Sequence, residues 1–83
     1  MKILRNRVYR HFKGDYYIVL DFAINTQDGS KCVIYRALHG DGKLFVRDYE
    51  DFSSKIDPRK HPNALQEYRF ELQEITTVNG DHK

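Results

Sequence analysis

The stretch YRALHGDGKLFVRDYEDF, residues 35–52, decides the fold. Its first four residues continue a strand pattern, because Tyr35 and Ala37 share a face with Val33 while Cys32, Ile34, Arg36 and Leu38 share the other. His39-Gly40-Asp41-Gly42-Lys43 then places two glycines around an aspartate, the chemistry of a tight hairpin reversal. Leu44 to Arg47 reads as the returning strand. Asp48 is placed to cap a helical turn near residues 49–54, with acids at the end where the helix dipole favours them.

The same grammar extends in both directions. Residues 8–12, VYRHF, form a short strand, and Lys13-Gly14-Asp15 turn the chain. Residues 16–24, YYIVLDFAI, are aromatic and β-branched, the strongest strand signal in the chain. A polar loop at 25–30 contains Asp28-Gly29, and residues 31–38 form the next strand. After the helical turn, Pro58 and Pro62 exclude a central strand at 55–63. ALQEY reads as a helical turn, and 69–75 as a closing strand with Phe70 and Leu72 on one face. Strands joined by short turns predict an all-β fold, a small five-stranded SH3-like barrel. An OB-like barrel is the alternative, but the short third connection leaves no room for its helix.

Eighty-three residues suit one domain, with an ordered core expected over about residues 7–76 and a flexible tail at 77–83. Six Tyr and five Phe supply the apolar area that a core of this size needs. The single cysteine, Cys32, excludes an internal disulfide and a Cys-rich zinc site. No apolar run is long enough for a membrane span or a signal core, so no membrane partner and a cytoplasmic location are expected. Net charge is only +2, yet Lys2, Arg5, Arg7, Arg10 and Lys13 form an acid-free start and Asp48, Glu50 and Asp51 an acidic middle.

The spaced motifs YRHFKGDYYIVLDFA, VIYRALHGDGKLFVR, Phe52 and Arg69-Phe70 are similar to those of a bacterial family, domain of unknown function 1653. That family's pattern runs Y-x-H-F-K-G, Y-Y-x-V, V-Y-x-A-L-Y-G-D-G, L-W-V-R-P and P-R-F. The resemblance covers roughly residues 8–75. This chain departs from the pattern at His39, Phe45, Asp48 and Tyr68, where Tyr, Trp, Pro and Pro would stand. The resemblance implies an SH3-like barrel and implies no reaction, and a fold alone does not supply one.

Chemistry-bearing residues are sparse. His11, His39, His61 and His82 lack metal-ligand spacing, Cys32 sits inside a strand, and the HGDG turn lacks the Lys-Ser/Thr of a phosphate loop. No catalytic, cofactor or metal site is assigned, and the chain is read as a non-enzymatic binding or adaptor module for a protein partner. The contact residues are Arg10, His11 and Lys13, with Tyr35, Arg36, His39, Asp41 and Arg47 around the hairpin. Arg36 and Arg47 would fork hydrogen bonds to an anion or carboxylate, or else pair internally with Asp48, Glu50 or Glu71. Tyr9, Tyr16, Tyr17, Tyr35 and Tyr49 with the 48–51 acids could form a peptide groove, although the Trp such grooves use is missing. The alternative partner is single-stranded nucleic acid, held by the basic, aromatic N-terminal strand.

Overall fold

A computed structural model describes residues 2–74. The expected tail at 77–83 and the end of the expected closing strand therefore lie outside the described residues. Among those described, the chain forms β1 (Val8–His11), β2 (Tyr16–Ile24), β3 (Lys31–Ala37), β4 (Leu44–Asp48), α1 (Tyr49–Phe52) and β5 (Phe70–Leu72). The five strands make one antiparallel sheet in the order β4-β3-β2-β1-β5. The all-β class, the five strands and the short helix follow the sequence pattern.

The turns form where glycine permits them. Gly40 and Gly42 in the β3–β4 reversal have φ of 60° and 68°, a region that costs a side chain strain. Asp48 caps α1, its carboxylate accepting from the Glu50 and Asp51 amides at 3.0 and 3.4 Å. Segment ALQEY does not become helical, because its polar groups bond elsewhere. The Glu67 and Tyr68 amides donate to the Glu71 carboxylate at 3.0 and 3.1 Å. Gln66 Nε2 donates to the Arg10 and Tyr68 carbonyls at 2.9 and 3.0 Å.

Strand β2 carries a bulge between Val19 and Asp21. Val19 lies opposite Tyr35, whereas Phe22 lies opposite Val33, so both sides of the bulge feed the same core face. The core is Ile3, Tyr9, Val19, Val33, Tyr35, Phe52 and Phe70, with Tyr17, Phe22, Tyr49 and Leu72 packed against it. Phe52 from α1 and Phe70 from β5 stack at 3.9 Å between ring centroids. Burying each ring contributes roughly 1.5–3 kcal/mol. Tyr9 is wholly buried, and its oxygen accepts from the Leu4 amide at 2.9 Å. That bond, Ile3 among the core residues and the Asn6 amide on the Val19 carbonyl at 2.7 Å dock the basic N-terminal segment onto the sheet.

The sheet is strongly bent but open. Two strands separate β3 from β5, a span of roughly 14 Å in a flat sheet. Yet the Tyr35 and Phe70 rings meet at 5.6 Å. Strands β4 and β5 do not pair, and α1 with the segment after it spans the gap. Lys55 bridges Tyr68, and the Ile56 amide donates to the Glu67 carbonyl at 2.9 Å. This pairing screens the β5 side of the sheet, while β4 gains no such neighbour among the described residues.

Candidate functional site

The concave face gathers aromatic rings around Tyr17. Its ring lies edge-on to Tyr35 at 5.4 Å, His39 at 5.5 Å, Phe70 at 5.7 Å, Phe45 at 6.2 Å and His11 at 6.4 Å. Edge-to-face contacts align the positive rim of one ring with the negative face of another. Burial, and then Asp15 and Tyr35, raise the Tyr17 pKa, so its hydroxyl stays protonated. Four of the expected contact residues, His11, Tyr35, His39 and Arg47, meet in or beside this cluster. Tyr17 organises it, although it was expected only among the groove tyrosines and not among the eight contact residues. Its signal was the alternation Tyr17-Val19, obscured because Ile18 and Leu20 are apolar too.

Arg47 is committed within the cluster. Its Nη1 donates to Asp51 at 2.6 Å, its Nε donates to the Tyr35 oxygen at 3.1 Å, and its guanidinium lies 5.6 Å from the Phe70 ring centre. Burial pulls its pKa down, but the bonds to Tyr35 and Asp51 outweigh that and the net shift is upward. Arg36 is different. It is exposed, donates to the Gly42 carbonyl at 2.8 Å and pairs in register with Leu44. Arg47 pairs with Val33, so the two arginines lie on opposite faces of the sheet and do not clamp one ligand.

His11 packs edge-on to Phe70 at 4.9 Å and accepts from the Lys13 amide at Nδ1. Burial, with Arg47, Arg69 and Lys13 adding repulsion, lowers its pKa from 6.5 to about 4. It is therefore neutral near pH 7. His39 is exposed, with Nε2 3.6 Å from Asp15. Asp41 sits 3.8 Å from Lys43 in the exposed hairpin, and Lys13 is exposed beside Phe12. Arg10 donates to Gln66 Oε1 at 2.9 Å, tying β1 to the long loop. Arg5 reaches Asp21 at 2.8 Å and Arg7 reaches Glu74 at 3.5 Å. The basic N-terminal run is thus largely partnered.

The five tyrosines do not form one groove. Tyr9 and Tyr35 are 0% and 4% exposed and offer no face to a peptide. Tyr16 stands on the sheet's other side from Tyr17. Among the described residues, no group of three or more His, Cys, Asp or Glu is placed to hold a metal ion. No described helix is long and apolar enough to cross a membrane.

A second surface was not foreseen. Strand β4 ends the sheet, and Leu44, Phe45 and Val46 are 55%, 40% and 66% exposed. The Ala37 amide donates to the Lys43 carbonyl at 3.0 Å, so Lys43, Phe45 and Arg47 turn their main-chain groups toward β3. Leu44 and Val46 consequently turn theirs to the open edge, and Asp48 only its amide, because its carbonyl opens α1. Phe45 stacks on Tyr35 at 5.7 Å on the concave side, which joins the edge to the aromatic cluster. On the outer face Val46 stands beside Ile34 and Leu44 beside Arg36, with Leu38, 50% exposed, beyond Arg36 on the same face.

A family model described as protein of unknown function (DUF1653) matches residues 7–72. No curated protein matches the chain. A crystal structure of a DUF1653 protein from Bordetella bronchiseptica is similar at 26% identity and a TM-score of 0.70, covering 89% of this chain and 92% of that one.

Proposed function

Because the chain belongs to the DUF1653 family, which brings no activity with it, we propose its function from its own surface: a non-enzymatic protein-interaction module that accepts an extended segment along β4. The observation that carries this reading is the run Leu44-Phe45-Val46, exposed on both faces of a strand whose outer side is unpaired among the described residues. An incoming strand would take main-chain hydrogen bonds from Leu44, Val46 and the Asp48 amide, and its side chains would meet Phe45 on one face and Leu44 and Val46 on the other. Natural proteins blunt exposed edges with bulges, prolines or charges, and the first three residues of β4, Leu44-Phe45-Val46, have none of these, Arg47 and Asp48 following them. Arg36 and His39 flank the edge from the hairpin, and Arg47 serves as an internal brace. The paired cations of the N-terminal segment weigh against nucleic acid. A lone thiol in a strand fits the reducing cytoplasm.

A library of displayed extended peptides tests the reading. Recovered sequences should alternate apolar residues, and their binding should perturb the amides of Leu44, Val46 and Asp48 in NMR spectra. Val46→Lys should weaken binding at least tenfold. Perturbations confined to the 57–63 loop, or to β1 on adding single-stranded oligonucleotide, would overturn it.

A further inference from the structure

Where β4 and β5 fail to meet, two guanidiniums share one carboxylate. Arg47 Nη1 donates to Asp51 Oδ2 at 2.6 Å, and Arg69 Nε lies 3.8 Å from Asp51 Oδ1. Asp51 therefore offsets one of the two positive charges and leaves the other. An arginine carries five N–H donors. Arg47 uses one on Asp51 and one on Tyr35, and Arg69 uses one on Ser54 Oγ at 3.3 Å. Arg47 Nη2 and both terminal nitrogens of Arg69 have no acceptor among the described residues. An exposed arginine satisfies such groups with water, but these two side chains are only 32% and 31% exposed, against 59% for Arg5 and 91% for Arg59. The field here is positive: after burial, the largest influences on the His11 imidazole are Arg47, Arg69 and Lys13, each stronger than the opposing Asp15. Beside the cations lies an aromatic shelf. Phe45 shares the concave face with Arg47, two residues or about 7 Å away along β4. Its ring remains partly open to solvent, and Tyr17 links it to the exposed His39 at centroid distances of 6.2 and 5.5 Å.

We propose that this seam binds a small monocarboxylate bearing an aromatic ring, its carboxylate held by Arg47 and Arg69 and its ring laid against Phe45 and His39. The site is separate from the edge described above, because it lies on the concave face and needs no unpaired main chain. Carboxylate suits the donors, since a guanidinium forks two parallel N–H bonds to its two oxygens. The bracing of Arg47 by Tyr35 and Asp51 helps, because a side chain already fixed loses little freedom when it takes a further acceptor. One surplus positive charge matches one carboxylate. A phosphate dianion would bring a second negative charge against Asp51. The ring contributes by covering Phe45 and by meeting it edge-on or offset, the geometries that its neighbours already use.

Phenylacetate is the probe, and a molecule so small should bind with Kd of about 1 mM. Titrated near neutral pH into the isotope-labelled chain, it should shift the Nε–Hε signals of Arg47 and Arg69 and the ring signals of Phe45 and His39, saturably. The Nε–Hε signal of Arg36 should not move. Phenylacetamide, which lacks the charge, should not bind, and acetate and inorganic phosphate should each bind at least tenfold more weakly than phenylacetate. Arg69→Gln should weaken phenylacetate binding at least tenfold with circular dichroism unchanged, whereas Arg36→Gln should leave it as it is. If Arg69→Gln does not fold, the comparison of phenylacetate with its amide on the wild-type chain decides. Absence of saturable shifts up to about 10 mM overturns the inference. So does equal binding of the amide, of acetate or of phosphate, and so does a folded Arg69→Gln that binds unchanged.

Discussion

Replacing His11 should change how stability depends on pH. The folded chain holds this imidazole at a pKa of about 4 against an ordinary 6.5, first by burial and then by Arg47, Arg69 and Lys13, with Asp15 opposing. Nδ1 also accepts the Lys13 amide at 3.1 Å, which a protonated ring cannot do. Above the ordinary value, both folded and unfolded chains carry neutral imidazole and there is no penalty. As pH falls from 6.5 towards 4, the unfolded chain binds a proton that the folded chain refuses, so stability declines. Below the folded value both are protonated and the loss is complete. Fully realised, such a difference is worth about 3 kcal/mol. Part of the ring meets water, which screens the charge, so about 1–2 kcal/mol is expected. Urea unfolding of the wild type and His11→Gln, followed by circular dichroism from about pH 7.5 to about pH 4, isolates the effect. Carboxylates titrating in the same range act on both chains and cancel in the difference. The wild type should lose about 1–2 kcal/mol more than the variant as pH drops. A flat difference, or an NMR titration of His11 centred near 6.5, would refute the reasoning.

Three further substitutions probe the frame. Phe52→Ala removes a wholly buried ring stacked on Phe70 and should cost about 3–5 kcal/mol, enough to unfold much of so small a domain at room temperature, as read by urea titration. Gly42→Ala meets the Ala37 carbonyl only at van der Waals distance, 3.7 Å, so its cost is the strain of a positive φ, about 1 kcal/mol and a few degrees in Tm. Asp48→Ala frees the Glu50 and Asp51 amides and should cost about 1 kcal/mol by thermal melting, whereas Asp48→Asn should keep most of that stability.

The sheet was legible because its signals are local. Val33, Tyr35 and Ala37 alternate cleanly with Ile34, Arg36 and Leu38, and glycines mark each reversal. The cap at Asp48 needs only its next three residues. What escaped depends on partners distant in sequence. Gln66 and Arg10 are 56 positions apart, yet their mutual hydrogen bonds hold the ALQEY segment out of a helix. The central place of Tyr17 was hidden because β2 is apolar on both sides, so no period distinguished its inner face. Arg36 and Arg47 looked like a pair until register set them on opposite faces. The open edge of β4 was illegible for a related reason: no local pattern shows that β4 and β5 fail to meet.

The bulge in β2 separates two properties that a strand normally carries together. Leu20 and Asp21 share one place in the register, and the core-facing residues on either side, Val19 and Phe22, would keep their faces if one of the two were removed. Deleting Leu20 would leave the inward and outward sets of side chains unchanged and would straighten the strand. The resulting chain would carry the same hydrophobic message on a less twisted strand. The surplus residue thus adds bend and twist to β2 without altering which of the flanking side chains face the core.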